Sequence, residues 1–165
     1  NSAFDVALSV SIGDKRGLIG LECKYTENFS ATEYRRNRYE KIYAKSNNFN
    51  WSYESLTASR FNQLFRNQLI AESLLQAGDY SFVKTGLFCA PNDAKAKNTA
   101  AEFATGIKTA FVTIDYMDYL SAIQRHDISS KQRTNTMLLW ARYLGHELSD
   151  AAASQYRNEN SLTSR

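Results

Sequence analysis

A chain of 165 residues, 43% of them hydrophobic, is long enough for one well-packed core and too short for two. Its single proline and seven glycines leave no Pro/Gly-rich linker, and there is neither an internal repeat nor a low-complexity block. A formal charge of +3 permits an anionic partner, and the absence of any apolar run of membrane-spanning length argues against a bilayer helix.

Phe4, Val6, Leu8, Val10 and Ile12 alternate with Asp5, Ala7, Ser9 and Ser11, the period of a strand with one apolar face. There is no initiator methionine and no signal-peptide pattern before this strand, so the chain reads as cut from something longer. "GDKRG" follows as a tight turn, and "LIGLECKY" returns as the second strand of a hairpin. Ile19, Leu21, Cys23 and Tyr25 share the apolar face of the first strand, which sends Glu22 and Lys24 to the other side.

Ser30-x-x-Glu33 has the spacing of a capping box and predicts a helix to about residue 46. Phe61, Leu64, Phe65, Leu69 and Leu75 repeat at helical spacing over residues 58 to 77, and Gly78 ends that helix. "YSFVKTGLFCA" predicts a strand, residues 95 to 105 a helix and "TAFVTID" a strand. Helices are predicted over 116 to 125 and 130 to 144, with the aromatic and Leu residues of "NTMLLWARYLG" as core. Strands alternating with helices make this an α/β protein: a mixed β-sheet led by an antiparallel hairpin and flanked by helices. The expected organisation is one domain over residues 1 to 148 and a polar tail over 149 to 165. Cys23 and Cys89 fall in strand-like runs, where free buried thiols suit a reducing cytoplasm.

The hairpin has a chemical consequence. Directly opposed residues of an antiparallel pair share a face, so a Gly13-Asp14 loop sets Asp5 opposite Glu22, and an Asp14-Lys15 loop sets it opposite Lys24. Either register gathers two carboxylates and an amine at about 5 Å across neighbouring strands. Two carboxylates that close favour a hard cation, and Mg²⁺ or Mn²⁺ with water and phosphate oxygens completes such a set. A lysine beside them can hold an attacking water or neutralise charge on a phosphate, which is the equipment of metal-assisted hydrolysis. The competing reading is the solvated face of an ordinary strand.

"FD", sixteen residues, then "ECK" resembles the PD-(D/E)XK nuclease superfamily, with Phe4 where many members have proline. The stretches "RGLIGLECKYTENFS", "RNRYEKIYA" and "RFNQLFRNQLIAESLLQAGDY" extend the likeness to a bacterial restriction-endonuclease-like family over about half of the chain. The resemblance implies a restriction-endonuclease-like core in which Asp5 and Glu22 are metal ligands and Lys24 orients or deprotonates the nucleophilic water. It further implies a ligand from the main-chain carbonyl of Cys23. Polar side chains on the following helix, Gln63 and Arg66 with Gln68 behind them, occupy the region that such enzymes turn toward the metal. The superfamily's usual helix and strand ahead of the Asp-bearing strand do not occur in this sequence.

Arg35, Arg36, Arg38 and Lys41, interleaved with Tyr34, Tyr39 and Tyr43, form a basic and aromatic cluster suited to phosphates and bases. A solvated amphipathic face explains it as well. His126 and His146 stand singly without zinc spacing, and Asp115 and Asp118 read as helix-start acids. The expected function is a Mg²⁺- or Mn²⁺-dependent phosphodiesterase acting on DNA, with homodimerisation a common arrangement for cutting both strands. Two alternatives share these features: a nuclease-like fold that binds DNA or protein without catalysis, and a hydrolase of another phosphate ester.

Overall fold

A computed structural model describes residues 3–25, 27–30, 32–145 and 150. His146 and the expected polar tail, apart from residue 150, lie outside the described residues. Four strands, β1 (Val6–Ile12), β2 (Lys15–Lys24), β3 (Phe82–Cys89) and β4 (Phe111–Asp115), form one sheet in that order. β1 and β2 are antiparallel, whereas β2, β3 and β4 run parallel. The crossover from β2 to β3 carries α1 (Asn37–Lys45), α2 (Tyr53–Thr57) and α3 (Ser59–Ala77), and α4 (Ala94–Thr105) links β3 to β4. The described residues form two compact units that part between Asp115 and Tyr116. In the second unit, α5 (Tyr116–Gln124) and α6 (Ser130–Tyr143) bring the rings of Tyr116 and Tyr143 to 5.6 Å.

The hairpin adopts the first of the two expected registers. Ile12 pairs with Lys15 and Val6 with Leu21, leaving Gly13 and Asp14 as the loop. Gly13 takes φ +57°, a left-handed conformation that glycine adopts without a side-chain clash, which lets two residues reverse the chain. Extended by one residue, this register sets Asp5 level with Glu22.

The face that α3 covers is the one bearing Glu22 and Lys24, not the more apolar one. Leu18, Gly20, Glu22 and Lys24 pair in register with Val83, Thr85, Leu87 and Cys89, and all eight are buried. On the other face Leu8 is 49% and Ile12 67% exposed. Phe4 also departs from the expected alternation. The chain bends at Asp5, and the Phe4 ring packs with Leu18, Ala71 and Val83 on the α3 side. It occupies the space above Gly20, where a Cβ would lie 2.4 Å from the ring, so the missing side chain of Gly20 sets how the chain enters β1.

α3 forms as expected, its Phe61, Leu64, Phe65 and Leu69 packed against Leu87, Cys89, Ala100 and Phe103, and Gly78 closes it in the left-handed conformation. Phe65 is fully buried and meets Tyr43, Phe49 and Tyr53 edge-on at 6.3, 5.5 and 5.7 Å. Unusually, α3 also buries Asn62, Asn67, Gln68 and Glu72. The Glu72 carboxylate accepts from Ser46 Oγ at 2.7 Å, Gln68 Nε2 at 2.8 Å and Asn48 Nδ2 at 3.0 Å, and Gln68 in turn accepts from Thr85 Oγ1 at 2.6 Å. Buried polar groups with their partners made tie α3 to β3 and to the loop after α1.

Two expectations need correction. The helix expected from Ser30 begins at Asn37, because the Ser30 amide donates to Gln63 Oε1 on α3 and its hydroxyl accepts from the Thr32 amide, which holds Ser30 and Thr32 out of a helix. The capping box lies instead at Ser129 and Gln132, at the start of α6. Leu138 and Leu139, expected in the core, are 64% and 42% exposed, because α6 buries little but Thr136. Asp115 ends β4 directly before α5, at the helix start expected of it, and also pairs with Lys97 at 2.9 Å.

Candidate active site

Alternate residues of a strand share a face, so the C-terminal end of β2 delivers Glu22 and Lys24 side by side beneath α3. Both are almost sealed from solvent, at 3% and 4% exposure. Lys24 Nζ lies 2.9 Å from Glu22 Oε1, and the ammonium also donates to Gln63 Oε1 at 3.1 Å. Gln63 Nε2 donates to the same Glu22 oxygen, and Asn67 Nδ2 donates to Glu22 Oε2 at 2.9 Å. Gln63 and Asn67 are four residues apart on α3 and therefore present adjacent amides to one carboxylate. The ring of Phe29 lies 5.2 Å from the Lys24 ammonium. A buried ion pair is tolerated when its remaining valences are met, and the α3 amides meet them here.

Asp5, immediately before β1, is tied to the backbone of β2. Its amide donates to Leu21 O at 3.0 Å, and its Oδ2 accepts from Cys23 N at 2.8 Å, which anchors an exposed carboxylate beside the peptide between Glu22 and Lys24. The thiol of Cys23 senses this arrangement. Burial pushes its pKa up, and the negative charges of Asp5 and Glu22 push it further, with Lys24 acting weakly in the opposite sense. Cys89, paired in register with Lys24, is raised by burial to about 11. Both thiols therefore stay protonated at neutral pH and are poor soft ligands or nucleophiles.

Of the expected site residues, the structure brings Glu22, Lys24 and Gln63 into direct contact and hangs Asp5 on the backbone of Cys23. Arg66 forms none of these contacts. Its guanidinium stacks over the Tyr34 ring at 4.6 Å, and with Arg36 and Arg38 it lines a separate cavity between α1 and α3. Gln68 turns to the Glu72 network instead. Arg35 is exposed and pairs with Glu33 at 3.4 Å, while Lys41 is exposed on α1. Asn67 is a further contact of this site, and its position four residues after Gln63 gains meaning only once β2 lies beneath α3.

A family model described as the PD-(D/E)XK nuclease superfamily matches residues 1–145. The chain belongs to the PD-(D/E)XK nuclease superfamily. Comparison with curated proteins and with solved structures gave no match. A mixed sheet led by an antiparallel hairpin and flanked by helices is the α/β fold consistent with PD-(D/E)XK proteins, and membership gives the chain a nuclease-like reading. No helix among the described residues is long and apolar enough to cross a membrane.

PD-(D/E)XK nucleases typically use divalent metal, and the donors present suit a hard ion. Among the described residues no group of three or more His, Cys, Asp or Glu gathers as a ready-made cage. Mg²⁺ needs none, since it is commonly held by one or two carboxylates with water and substrate phosphate around it. Asp5 supplies an exposed carboxylate whose orientation the Cys23 amide fixes, and Glu22 supplies one oriented by two amides and an ammonium. Hydrogen-bonded carboxylates of this kind are what oriented metal ligands require.

The raised Cys89 thiol has a consequence for stability. The thiol is neutral when protonated, and its value of about 11 in the fold exceeds the ordinary 9.0, so the folded chain holds this proton more tightly than the unfolded one. The resulting stabilisation is complete below pH 9 and is lost as pH rises toward 11. Urea unfolding at pH 8, 9, 10 and 11 should show stability falling across that interval, with a shallower fall in Cys89→Ala.

Proposed function

We propose that the protein is a Mg²⁺- or Mn²⁺-dependent phosphodiesterase that cuts DNA. The reading is carried by the meeting of Glu22 and Lys24 with the α3 amides, next to the exposed carboxylate of Asp5, in a chain of nuclease ancestry. Asp5, Glu22 and the main-chain carbonyl of Cys23 would hold the ion, which when bound polarises the scissile phosphate and lowers the pKa of a bound water. Gln63 and Asn67 keep the Glu22 carboxylate from rotating, so its charge stays where the reaction needs it. Lys24 places a positive charge beside that carboxylate, available to orient the attacking water and to offset charge developing on the phosphate. Arg35, Arg36, Arg38 and Lys41 would contact the DNA backbone, and their contribution should weaken as salt rises.

Purified protein incubated with plasmid DNA is expected to nick or linearise it in Mg²⁺ or Mn²⁺ and to stop when EDTA is added. Cleavage that persists in EDTA would remove the metal from the proposal, and cleavage of RNA in preference to DNA would change the substrate. A second reading, a nuclease-like fold that binds DNA without cutting it, is favoured by one observation: every Glu22 oxygen already accepts a protein donor. Salt-sensitive DNA binding with no cleavage in either metal would select it.

A further inference from the structure

The cavity between α1 and α3 is distinct from the Glu22 cluster. It measures about 360 Å³, within the usual range for small-molecule pockets, and three of its lining residues are arginines: Arg36, Arg38 and Arg66. None of the three has a carboxylate within ion-pair distance among the described residues. Three like charges around one hollow repel one another unless an anion sits among them. Arg66 adds a more specific sign. Its guanidinium carbon lies 4.6 Å from the centre of the Tyr34 ring, its Nε is buried, and that N–H donates to no described acceptor. A buried donor without a partner is costly, and a planar guanidinium offers two parallel donors matched to a phosphate edge.

The rest of the lining is a mostly apolar wall that includes Ile42, Leu69, Ile70 and Leu74, with the Tyr39 ring beside Arg36 at 6.0 Å. An inorganic anion has no use for such a wall, whereas the flat ring of a nucleobase does. The geometry points to a binding site for one phosphorylated nucleotide, its phosphoryl group on Arg36, Arg38 and Arg66 and its base against the apolar wall. Arg66 lies between Gln63 and Asn67 in sequence and within one turn of α3 of both, so the site adjoins the proposed catalytic cluster without overlapping it. Its use by a substrate strand rests on the nuclease reading; its use by a free nucleotide does not.

The test is calorimetric titration of the full chain in EDTA, where cleavage cannot occur, with dAMP and with deoxyadenosine. dAMP should bind at least about tenfold more tightly than deoxyadenosine, and Arg38→Gln and Arg66→Gln should each weaken it by about tenfold, the usual effect of losing a charged hydrogen bond. Lys15→Gln, on the remote hairpin, should bind dAMP as the parent does. Arg38 is exposed on α1, so its variant keeps the test open if Arg66→Gln folds poorly. Equal affinity for dAMP and deoxyadenosine, or parental dAMP binding by a folded Arg38→Gln/Arg66→Gln double variant, would overturn the site. Displacement of dAMP by a 5′- or 3′-phosphorylated single strand but not by its dephosphorylated form assigns the site to a strand end. Displacement by both forms assigns it to an internal nucleotide, and displacement by neither to a free nucleotide; each supports the site. DNA that is never cleaved while dAMP still binds would sink the nuclease reading and leave this one standing.

Discussion

Asp5→Asn should lower the rate of metal-dependent DNA cleavage by a factor of about a hundred to a thousand, the range seen when one electrostatic stabiliser of a transition state is removed. The carboxylate is exposed, and its one side-chain hydrogen bond among the described residues is from the Cys23 amide, from which the carbonyl oxygen of asparagine can still accept. The fold should therefore survive unchanged by circular dichroism while the rate collapses. Glu22→Gln and Lys24→Met should lose as much activity for the same reason, but each leaves a buried charge without its counter-ion. Such a loss costs about 3 to 5 kcal/mol, so both variants should also unfold earlier in urea. Single-turnover cleavage measured beside urea unfolding separates the two effects. A folded Asp5→Asn variant that cuts at the parental rate would remove Asp5 from the site.

Phe65→Ala should cost about 3 to 5 kcal/mol and lower the melting temperature by about 10 °C. The ring is wholly buried at the centre of Tyr43, Phe49 and Tyr53, and these come from α1, the loop after it and α2. Removing it leaves a cavity where three separate segments meet α3, and nothing nearby can close over it without moving a helix. Phe65→Leu, which keeps most of the volume, should cost about 1 kcal/mol. Because α3 also carries Gln63 and Asn67, the alanine variant should lose part of its activity at temperatures well below its midpoint. Similar unfolding curves for the alanine variant and the parent would mean that the aromatic cluster does not hold α3 in place.

Much of the architecture could be read from local pattern. Two-residue alternation and a Gly-Asp turn defined the hairpin and narrowed its register to two choices, one of which the structure adopts. Helical spacing of Phe61, Leu64, Phe65 and Leu69, ended by Gly78, defined α3. Local pattern could not say which side of the hairpin α3 would cover. Alternation favoured the apolar side, but α3 brings its own amides, and Gln63 and Asn67 make the Glu22 and Lys24 side the one that can be buried. The same tertiary bond misplaced the start of α1. Ser30 and Glu33 have capping spacing, yet the Ser30 amide is held by Gln63 on α3. The five residues of α2 were too few to show any period. Within the candidate site, the Glu22 and Lys24 pair was legible because strand periodicity alone brings it together. Asn67 was not, since a lone asparagine on a polar-rich helix carries no signal until the strand beneath it is known. The direction of Arg66 also depended on how α1 packs, which no spacing encodes.

The account depends on a divalent ion meeting Asp5 and Glu22 at one place. Titration of the metal-free chain with Mn²⁺, followed by electron paramagnetic resonance of the free ion, tests this without reference to substrate or rate. One Mn²⁺ should bind per chain, Mg²⁺ should displace it, and Asp5→Asn should weaken it by at least about tenfold, as expected on removing one of few charged ligands. Undiminished Mn²⁺ binding by Asp5→Asn and Glu22→Gln, or no binding by the folded parent, would contradict the account.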